Sequence, residues 1–250
     1  MARFRLIVEY DGTGFVGWQR QSNGLAVQEV LEAAMAALEG RAMLARAAGR
    51  TDTGVHALGQ CVHADFVRNW RGDRLRDALN AHLRPHRVAV LLAAPAPDSF
   101  DARHSAIRRT YLYRILNRRA PLTLDAQRLW LVKRSLDVSS MQTAAQRLIG
   151  LHDFSTFRDS DCQAYSPVRT LERMDVEQSG AEIRIHVAAR SFLHRQVRSM
   201  VGSLEHVGAG QWSGDDLYAA LCARDRSHCG QVAPAAGLYL RQVDYPEADL

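Results

Sequence analysis

The sequence predicts an α+β protein of two domains, each a mixed, largely antiparallel sheet with helices on one face. Segments that alternate apolar and polar residues are interspersed with segments whose apolar residues recur every three or four positions. The chain has 250 residues, enough for two domains of about 100 to 150 residues each. The second half also loosely repeats the strand and helix order of the first. We therefore expect an N-terminal domain over residues 1–105, a C-terminal domain over 106–250, and a functional cleft between them.

The first half has four segments typical of strands and two typical of helices. These are strands Phe4–Asp11, Met43–Ala48, Gln60–Val67 and Val88–Ala93, and helices Leu25–Leu38 and Asp73–Leu83. Gly40 and Pro85 follow the two helices, at positions where glycine and proline favour a helix end. A glycine-rich loop, Gly12–Gly24, follows the first strand, and a second polar loop covers residues 49–56.

The second half is predicted from the same two periodicities. The strands are Phe100–Leu116, Val168–Gln178, Glu182–Arg190 and Leu238–Tyr245, and the helices are Asp137–Ile149, Leu193–Val207 and Ser213–Cys222. The pair Ser179–Gly180 lies between two of these strands and predicts a tight antiparallel turn. Alternation in the first of the strands places Arg109, Tyr111 and Tyr113 on one face.

The positive charge is concentrated in one part of the chain. Residues 101–200 carry 17 basic and 10 acidic side chains, whereas residues 201–250 carry 3 and 7. Lys133 is the single lysine, so nearly all the positive charge is arginine, a choice that genome composition alone could produce. The local excess predicts a partner that is a polyanion, nucleic acid first.

Several function classes are disfavoured by composition. The longest apolar run, Val88–Ala94, is too short to span a bilayer, and no leader segment is evident, which predicts a cytoplasmic protein with no membrane partner. The four cysteines lack the spacing of a zinc site or a disulfide framework, and we expect them to be reduced thiols. The histidines are not spaced like metal ligands either, so no metal is predicted.

Two short motifs suggest other enzymes but lack the required context. Gly12–Gly17 satisfies G-x-G-x-x-G, but a dinucleotide fold needs a helix that begins inside the motif, and residues 18–24 intervene here. Asp52–Gly54 reads Asp-Thr-Gly, as in aspartic proteases, which need two such carboxylates. We therefore expect neither a nucleotide cofactor nor protease activity. Asp52 can instead act as a nucleophile or base, oriented by Arg50, or it can simply cap a turn.

Blocks of residues from one end of the chain to the other resemble the tRNA pseudouridine synthase A family. The blocks are Tyr10–Arg20, Ala48–Ala57, Gly59–Gln60, Ser105–Ala106, Arg109–Tyr113, His152–Phe154, Val168–Thr170, Phe192–His194, Val197–Arg198, Val201–Gly202, Ala233–Pro234 and Gly237–Leu238. The resemblance implies conversion of uridine to pseudouridine at positions 38, 39 and 40 of tRNA, in the anticodon stem-loop. It also implies a homodimer that needs no cofactor.

The resemblance also implies roles for individual residues. Asp52 matches the catalytic aspartate, Tyr111 the tyrosine that stacks on the target uracil, and Arg198 the arginine that pairs with the aspartate across the cleft. Arg50 matches an arginine that helps to flip the target nucleotide. Arg20, Arg109 and His56 are further candidate contacts to the RNA. The alternative is a non-catalytic RNA-binding protein that uses the same arginines and aromatics.

Overall fold

The computed structural model describes residues 1–247 and confirms the α+β class. The strands in this part of the chain are β1 (Ala2–Tyr10), β2 (Arg46–Ala47), β3 (His56–Phe66), β4 (Val88–Pro95), β5 (Arg108–Asn117), β6 (Trp130–Val132), β7 (Gly150–Asp153), β8 (Val168–Ser179), β9 (Glu182–Ala189) and β10 (Leu238–Asp244). The α-helices are α1 (Val27–Glu39), α2 (Gly72–Leu83), α3 (Val138–Ala145), α4 (Gln196–Gly208) and α5 (Gly214–Ala223).

The chain forms two compact units. The first comprises Met1–Arg109 together with the described chain from Tyr239 onward, and the second comprises Thr110–Leu238. The last strand therefore belongs to the first unit. The predicted C-terminal domain, 106–250, instead includes that strand, and its residues 248–250 lie outside the described part. The division into functional domains at residue 105 stays a prediction.

In the first unit the strand order is β4-β1-β3-β10, and β2 pairs with β3. Alternation in β1 buries Phe4, Leu6 and Val8 on one face, as the sequence pattern predicts. Strand β3 is antiparallel to β1 and parallel to β10, where His56 lies opposite Tyr239. The loop that carries Asp52 connects β2 to β3 and therefore leads into the middle of this sheet.

The two helices of the first unit are amphipathic. Helix α1 buries Val27, Leu31 and Met35, and Gly40 ends it in the left-handed region at φ 69°. Helix α2 buries Leu75, Leu79 and Leu83 at helical spacing. Burial of these apolar stripes fixes which side of α1 faces the unit's interior.

In the second unit the strand order is β5-β9-β8-β7, and β6 pairs with β5. Strands β8 and β9 form the predicted hairpin, with Ser179 opposite Glu182 and Gly180 at φ 60° in the turn. Asp137 caps α3 by accepting the Ser139 and Ser140 N–H groups, and Ser213 caps α5. These caps explain why the predicted starts of both helices agree with the structure.

The predicted strand Phe100–Leu116 is wrong over its first part, because β5 begins at Arg108. The Asp101 carboxylate accepts the N–H groups of Arg103 and His104 at 2.8 and 2.9 Å. This local turn competes with an extended backbone. Strands β6 and β7 are three and four residues long, too short for their periodicity to be recognised.

Candidate active site

The Asp52 loop, residues 48–55, is held firmly at its centre. The Tyr10 hydroxyl and Thr51 Oγ1 form a buried hydrogen bond of 2.8 Å, and the Trp18 N–H donates to the Thr51 carbonyl at 3.0 Å. The Val55 N–H donates to the Asp52 carbonyl at 3.1 Å and closes a tight turn. Asp52 itself is half-buried. These contacts fix the backbone on both sides of the carboxylate.

The glycine-rich loop packs directly on the Asp52 loop. Gly17 has φ 108°, and a Cβ atom there would lie 2.6 Å from the Thr51 carbonyl oxygen. A Cβ atom on Gly12 would lie 2.1 Å from the Val55 carbonyl oxygen. The Thr53 hydroxyl donates to the Val16 carbonyl at 3.0 Å. These glycines of the G-x-G-x-x-G pattern thus permit close approach of two backbones, a role unrelated to dinucleotide binding.

Two long side chains hold the carbonyl groups at the start of the Asp52 loop. Arg109 donates to the Ala48 carbonyl at 2.9 Å and to the Arg103 carbonyl at 2.7 Å. Gln60 is fully buried, and its Nε2 donates to the Gly49 carbonyl at 2.7 Å. Arg109 therefore has a structural contact with the Asp52 loop, while its predicted contact with RNA stays a prediction.

His56 follows the Asp52 loop and is 2% exposed. Its Nδ1 lies 3.0 Å from the Gly12 nitrogen and 3.1 Å from Asp11 Oδ1. A protonated Nδ1 donates to Asp11 and an unprotonated one accepts the Gly12 N–H, so the tautomer decides between the two bonds. The ring stacks on Tyr239 with centroids 4.7 Å apart. His56 thus lies in the interior of the first unit, and its role as an RNA contact stays a prediction.

Arg20 and Arg50 are the predicted cations of the first unit that face solvent. The Arg50 side chain is exposed. The Arg20 side chain is 60% exposed, although its Nη2 donates to Glu32 Oε2 at 2.8 Å. The structure therefore leaves both arginines accessible near the Asp52 loop and the glycine-rich loop that packs on it.

Tyr111 and Arg198 both lie in the second unit. Tyr111 is half-buried on β5, and its ring meets Phe192 edge to face, with centroids 5.2 Å apart. Arg198 lies in the first turn of α4, where its Nε donates to the Ala233 carbonyl at 2.8 Å. The Ala233 N–H in turn donates to the Arg198 carbonyl at 3.0 Å. Arg198 is thus held by both its backbone and its side chain.

The segment around Ala233 fits closely against α4 and β5. A Cβ atom on Gly202 would lie 1.7 Å from the Gln231 carbonyl oxygen, and one on Gly237 would lie 2.6 Å from the Tyr113 ring. The Tyr113 hydroxyl donates to the Pro234 carbonyl at 2.7 Å. Burial raises the pKa of Tyr113 well above its ordinary value, although the positive charge of Arg198 opposes this shift. Tyr113 is therefore a neutral donor at physiological pH.

The predicted site residues fall into two groups. Asp52, Arg50, Arg20, Arg109 and His56 lie in the first unit, and all but Arg20 belong to or adjoin the Asp52 loop. Tyr111 and Arg198 lie in the second unit, which also contributes Phe192. The sequence-based prediction did not include the supporting contacts from Gln60, Glu32 and Tyr10. No periodicity or spacing indicates them, because each joins residues that are distant along the chain.

The described part of the chain has neither a metal-binding cluster nor a membrane-spanning helix. Among residues 1–247, no three histidine, cysteine or acidic side chains are grouped so that they could ligate a metal ion. Within the same range, no helix has the length and apolar character that crossing a membrane requires.

Comparisons with known proteins identify the family. The family model described as tRNA pseudouridine synthase matches residues 6–105 and 144–246. "tRNA pseudouridine synthase A" of Beijerinckia indica is 66% identical over 247 residues, covering 99% of this chain and 95% of that protein. This chain belongs to the tRNA pseudouridine synthase A family. The protein of the same name from Methylocella silvestris is 62% identical, and the alignment covers 99% of this chain and 100% of that protein. The one from Azorhizobium caulinodans is 58% identical, and the alignment covers 99% of this chain and 96% of that protein.

Membership of the tRNA pseudouridine synthase A family makes the chain an enzyme of the isomerase class, one that acts on uridine in tRNA. The blocks of residues that suggested this family from the sequence therefore identified it correctly. The predicted site residues fall within the matched ranges, except Arg109 and Tyr111, which lie between the two ranges.

Proposed function

We propose that this chain isomerises uridines 38, 39 and 40 in the anticodon stem-loop of tRNA, with Asp52 as the catalytic carboxylate. The observation that carries this proposal is the construction of the Asp52 loop. Buried hydrogen bonds to Thr51 and close glycine packing at Gly17 hold the backbone on each side of Asp52. A carboxylate on such a loop is oriented before substrate binds, as catalysis at a sugar carbon requires.

The chemistry explains the types of residue at the site. Isomerisation breaks the glycosidic bond between N1 and C1′, rotates the uracil and rejoins it through C5. Asp52 acts either as a nucleophile at the sugar or as a base that removes a sugar proton. Tyr111 stacks on the flipped uracil and retains it, and Arg198 pairs with Asp52. Arg50 helps to flip the target nucleotide.

The proposed partners follow from charge and from the family resemblance. Residues 101–200, which include Tyr111 and Arg198, carry the excess of basic residues that binding of an RNA backbone requires. Arg20, Arg109 and His56 are the further RNA contacts that we propose. We also propose that the enzyme is a cytoplasmic homodimer and needs no cofactor or metal.

Tritium release from tRNA labelled at C5 of uridine tests the reaction, and pseudouridine mapping of the product tests the positions. We expect release by the purified protein without added cofactor, and pseudouridine at positions 38 to 40. Tight binding of tRNA with no release of tritium would support the alternative, a non-catalytic RNA-binding protein. Release with pseudouridine at other positions would reject the assignment to the anticodon stem-loop.

Stacking by Tyr111 predicts different effects of two substitutions on tRNA affinity. We expect Tyr111→Phe to keep affinity within about twofold and Tyr111→Ala to weaken it about tenfold or more, because an aromatic face contributes about 1 to 3 kcal/mol per base. Fluorescence titration with tRNA measures the affinity. Tyr218→Ala is the matched control, since Tyr218 is 42% exposed on α5 of the same unit. Equal affinity of the two Tyr111 variants would count against stacking.

A further inference from the structure

Helix α1 contains a buried carboxylate that no catalytic step uses. The Glu32 side chain is 9% exposed. Its Oε2 accepts a hydrogen bond from Arg20 Nη2 at 2.8 Å, and its Oε1 accepts from Gln28 Nε2 at 2.9 Å and from the Ala45 N–H at 3.1 Å. Because a buried carboxylate is costly unless it is paired and hydrogen-bonded, this set of donors is what keeps Glu32 in place.

Arg20 is held at two points by residues one helical turn apart. Its guanidinium donates to Glu32, and its backbone N–H donates to Gln28 Oε1 at 3.3 Å. Gln28 Nε2 also donates to the Ala45 carbonyl at 3.3 Å, in addition to its bond with Glu32. Arg20, Gln28 and Glu32 are therefore each bonded to the other two. These bonds restrict the rotamer freedom of the Arg20 side chain, which is still 60% exposed.

The same stretch of chain is joined to the Asp52 loop. The Gln28 N–H donates to the Trp18 carbonyl at 3.0 Å, and the Trp18 N–H donates to the Thr51 carbonyl at 3.0 Å. Arg20 therefore lies two residues along the chain from Trp18, which contacts the backbone of the Asp52 loop. A cation at this position, ordered in advance, is suited to bind a phosphate of the RNA backbone.

We propose that Glu32 is a positioning residue, which orients Arg20 so that the exposed part of its guanidinium binds a phosphate group of the tRNA. This inference rests on the proposed function, in which Arg20 contacts the RNA. Glu32 acts through Arg20 and does not itself touch the substrate.

The proposal predicts an effect opposite in sign to that of simple electrostatics. Neutralising an acidic residue beside an RNA-binding surface removes a repulsive charge and strengthens binding. If Glu32 orients Arg20, Glu32→Gln weakens binding instead, because the charge-assisted bond to Arg20 is lost. Glu29→Gln is the matched control, since Glu29 lies on the same helix, 4.0 Å from Arg20 Nε, and its cap bond to the Ala26 N–H can be kept by glutamine.

The experiment is a double-mutant cycle of Glu32→Gln and Arg20→Ala, measured as tRNA dissociation constants over a range of salt concentrations. We expect each single variant to bind about five- to tenfold more weakly, and Arg20→Ala to reduce the slope of log K against log salt by about 0.7 to 0.9. We expect the double variant to match Arg20→Ala alone, because both changes remove the same contact. The loss should appear in KM, with kcat within about twofold.

Three outcomes would overturn the proposal. The first is that Glu32→Gln binds tRNA as tightly as Glu29→Gln or more tightly. The second is that the losses of tRNA affinity add in the double variant, and the third is that Glu32→Gln lowers kcat and leaves KM unchanged. If Glu32→Gln does not fold, the same cycle is run with Glu32→Asp, which keeps the charge but is too short to reach Arg20 and Ala45 together. Additive losses in that cycle would equally reject the role of Glu32.

Failure of this inference is distinguishable from failure of the proposed function. If Arg20→Ala binds tRNA as tightly as the wild type, the proposed RNA contact of Arg20 is wrong. If Arg20→Ala weakens binding and Glu32→Gln does not, the role of Glu32 alone is rejected. Tritium release by the wild-type enzyme is independent of both results.

Discussion

Asp52→Asn is expected to lower the rate of tRNA isomerisation by about 10³-fold or more, since an amide can act neither as an anionic nucleophile nor as a base. The substitution preserves the shape of the side chain. The contacts described for the loop involve Thr51, Thr53 and the backbone carbonyl groups of Ala48, Gly49 and Asp52, and asparagine leaves these contacts intact. We therefore expect the variant to fold and to bind tRNA with nearly unchanged affinity. Single-turnover tritium release measures the rate.

The control for Asp52→Asn is Asp98→Asn, which makes the same change of charge at an exposed position of the same unit. Its rate should stay within about twofold of the wild type, as is usual for a surface position away from the site. An Asp52→Asn enzyme that retained more than about a tenth of the activity would show that another group supplies the essential carboxylate.

Gly17→Ala is expected to reduce activity by about 10²-fold without unfolding the protein. The new Cβ atom would lie 2.6 Å from the Thr51 carbonyl oxygen and 3.1 Å from the Asp52 carbonyl carbon, so the Asp52 loop must move. Displacement of a catalytic group by about 1 Å costs on the order of 10² in rate. The positive φ of Gly17 adds about 1 to 2 kcal/mol of strain.

The strain and the displacement at Gly17 can be separated by a second glycine in the same loop. Gly14 has φ 83°, but a Cβ atom there meets nothing within 4 Å. Gly14→Ala should therefore lose about 1 to 2 kcal/mol of stability in urea denaturation and keep nearly full activity. If both variants lost activity equally, backbone strain would explain the effect, and close packing of the two loops would have no catalytic role.

The features predicted well from sequence are those whose cause is local. Alternation in β1 and the hairpin turn at Gly180 follow from two-residue periodicity and turn chemistry, and Asp137 and Ser213 mark helix starts by capping. Asp52 is predicted as the catalytic carboxylate because its neighbours form a contiguous motif, and this role stays a prediction. The position of each of these elements along the chain can be predicted from its own residues and their immediate neighbours.

Features that depend on distant residues could not be predicted in this way. The bonds from Gln60 to Gly49, from Arg109 to Ala48 and from Glu32 to Ala45 join residues that no periodic pattern connects. The same is true of β10, whose sequence predicts a strand but not its pairing with β3. Such contacts are decided by tertiary packing, which overrides local preference.

The pairing of β10 with β3 has a consequence for the order in which the chain folds on the ribosome. Tyr239 stacks on His56, the Tyr245 hydroxyl donates to the Ala102 carbonyl at 2.7 Å, and the Ile107 N–H donates to the Asp244 carbonyl. The first unit is thus completed by residues translated more than a hundred codons after its other strands. A nascent chain that stops before Tyr239 lacks the strand that pairs with β3 directly after the Asp52 loop. Co-translational folding of the first unit therefore cannot be completed until β10 has been translated.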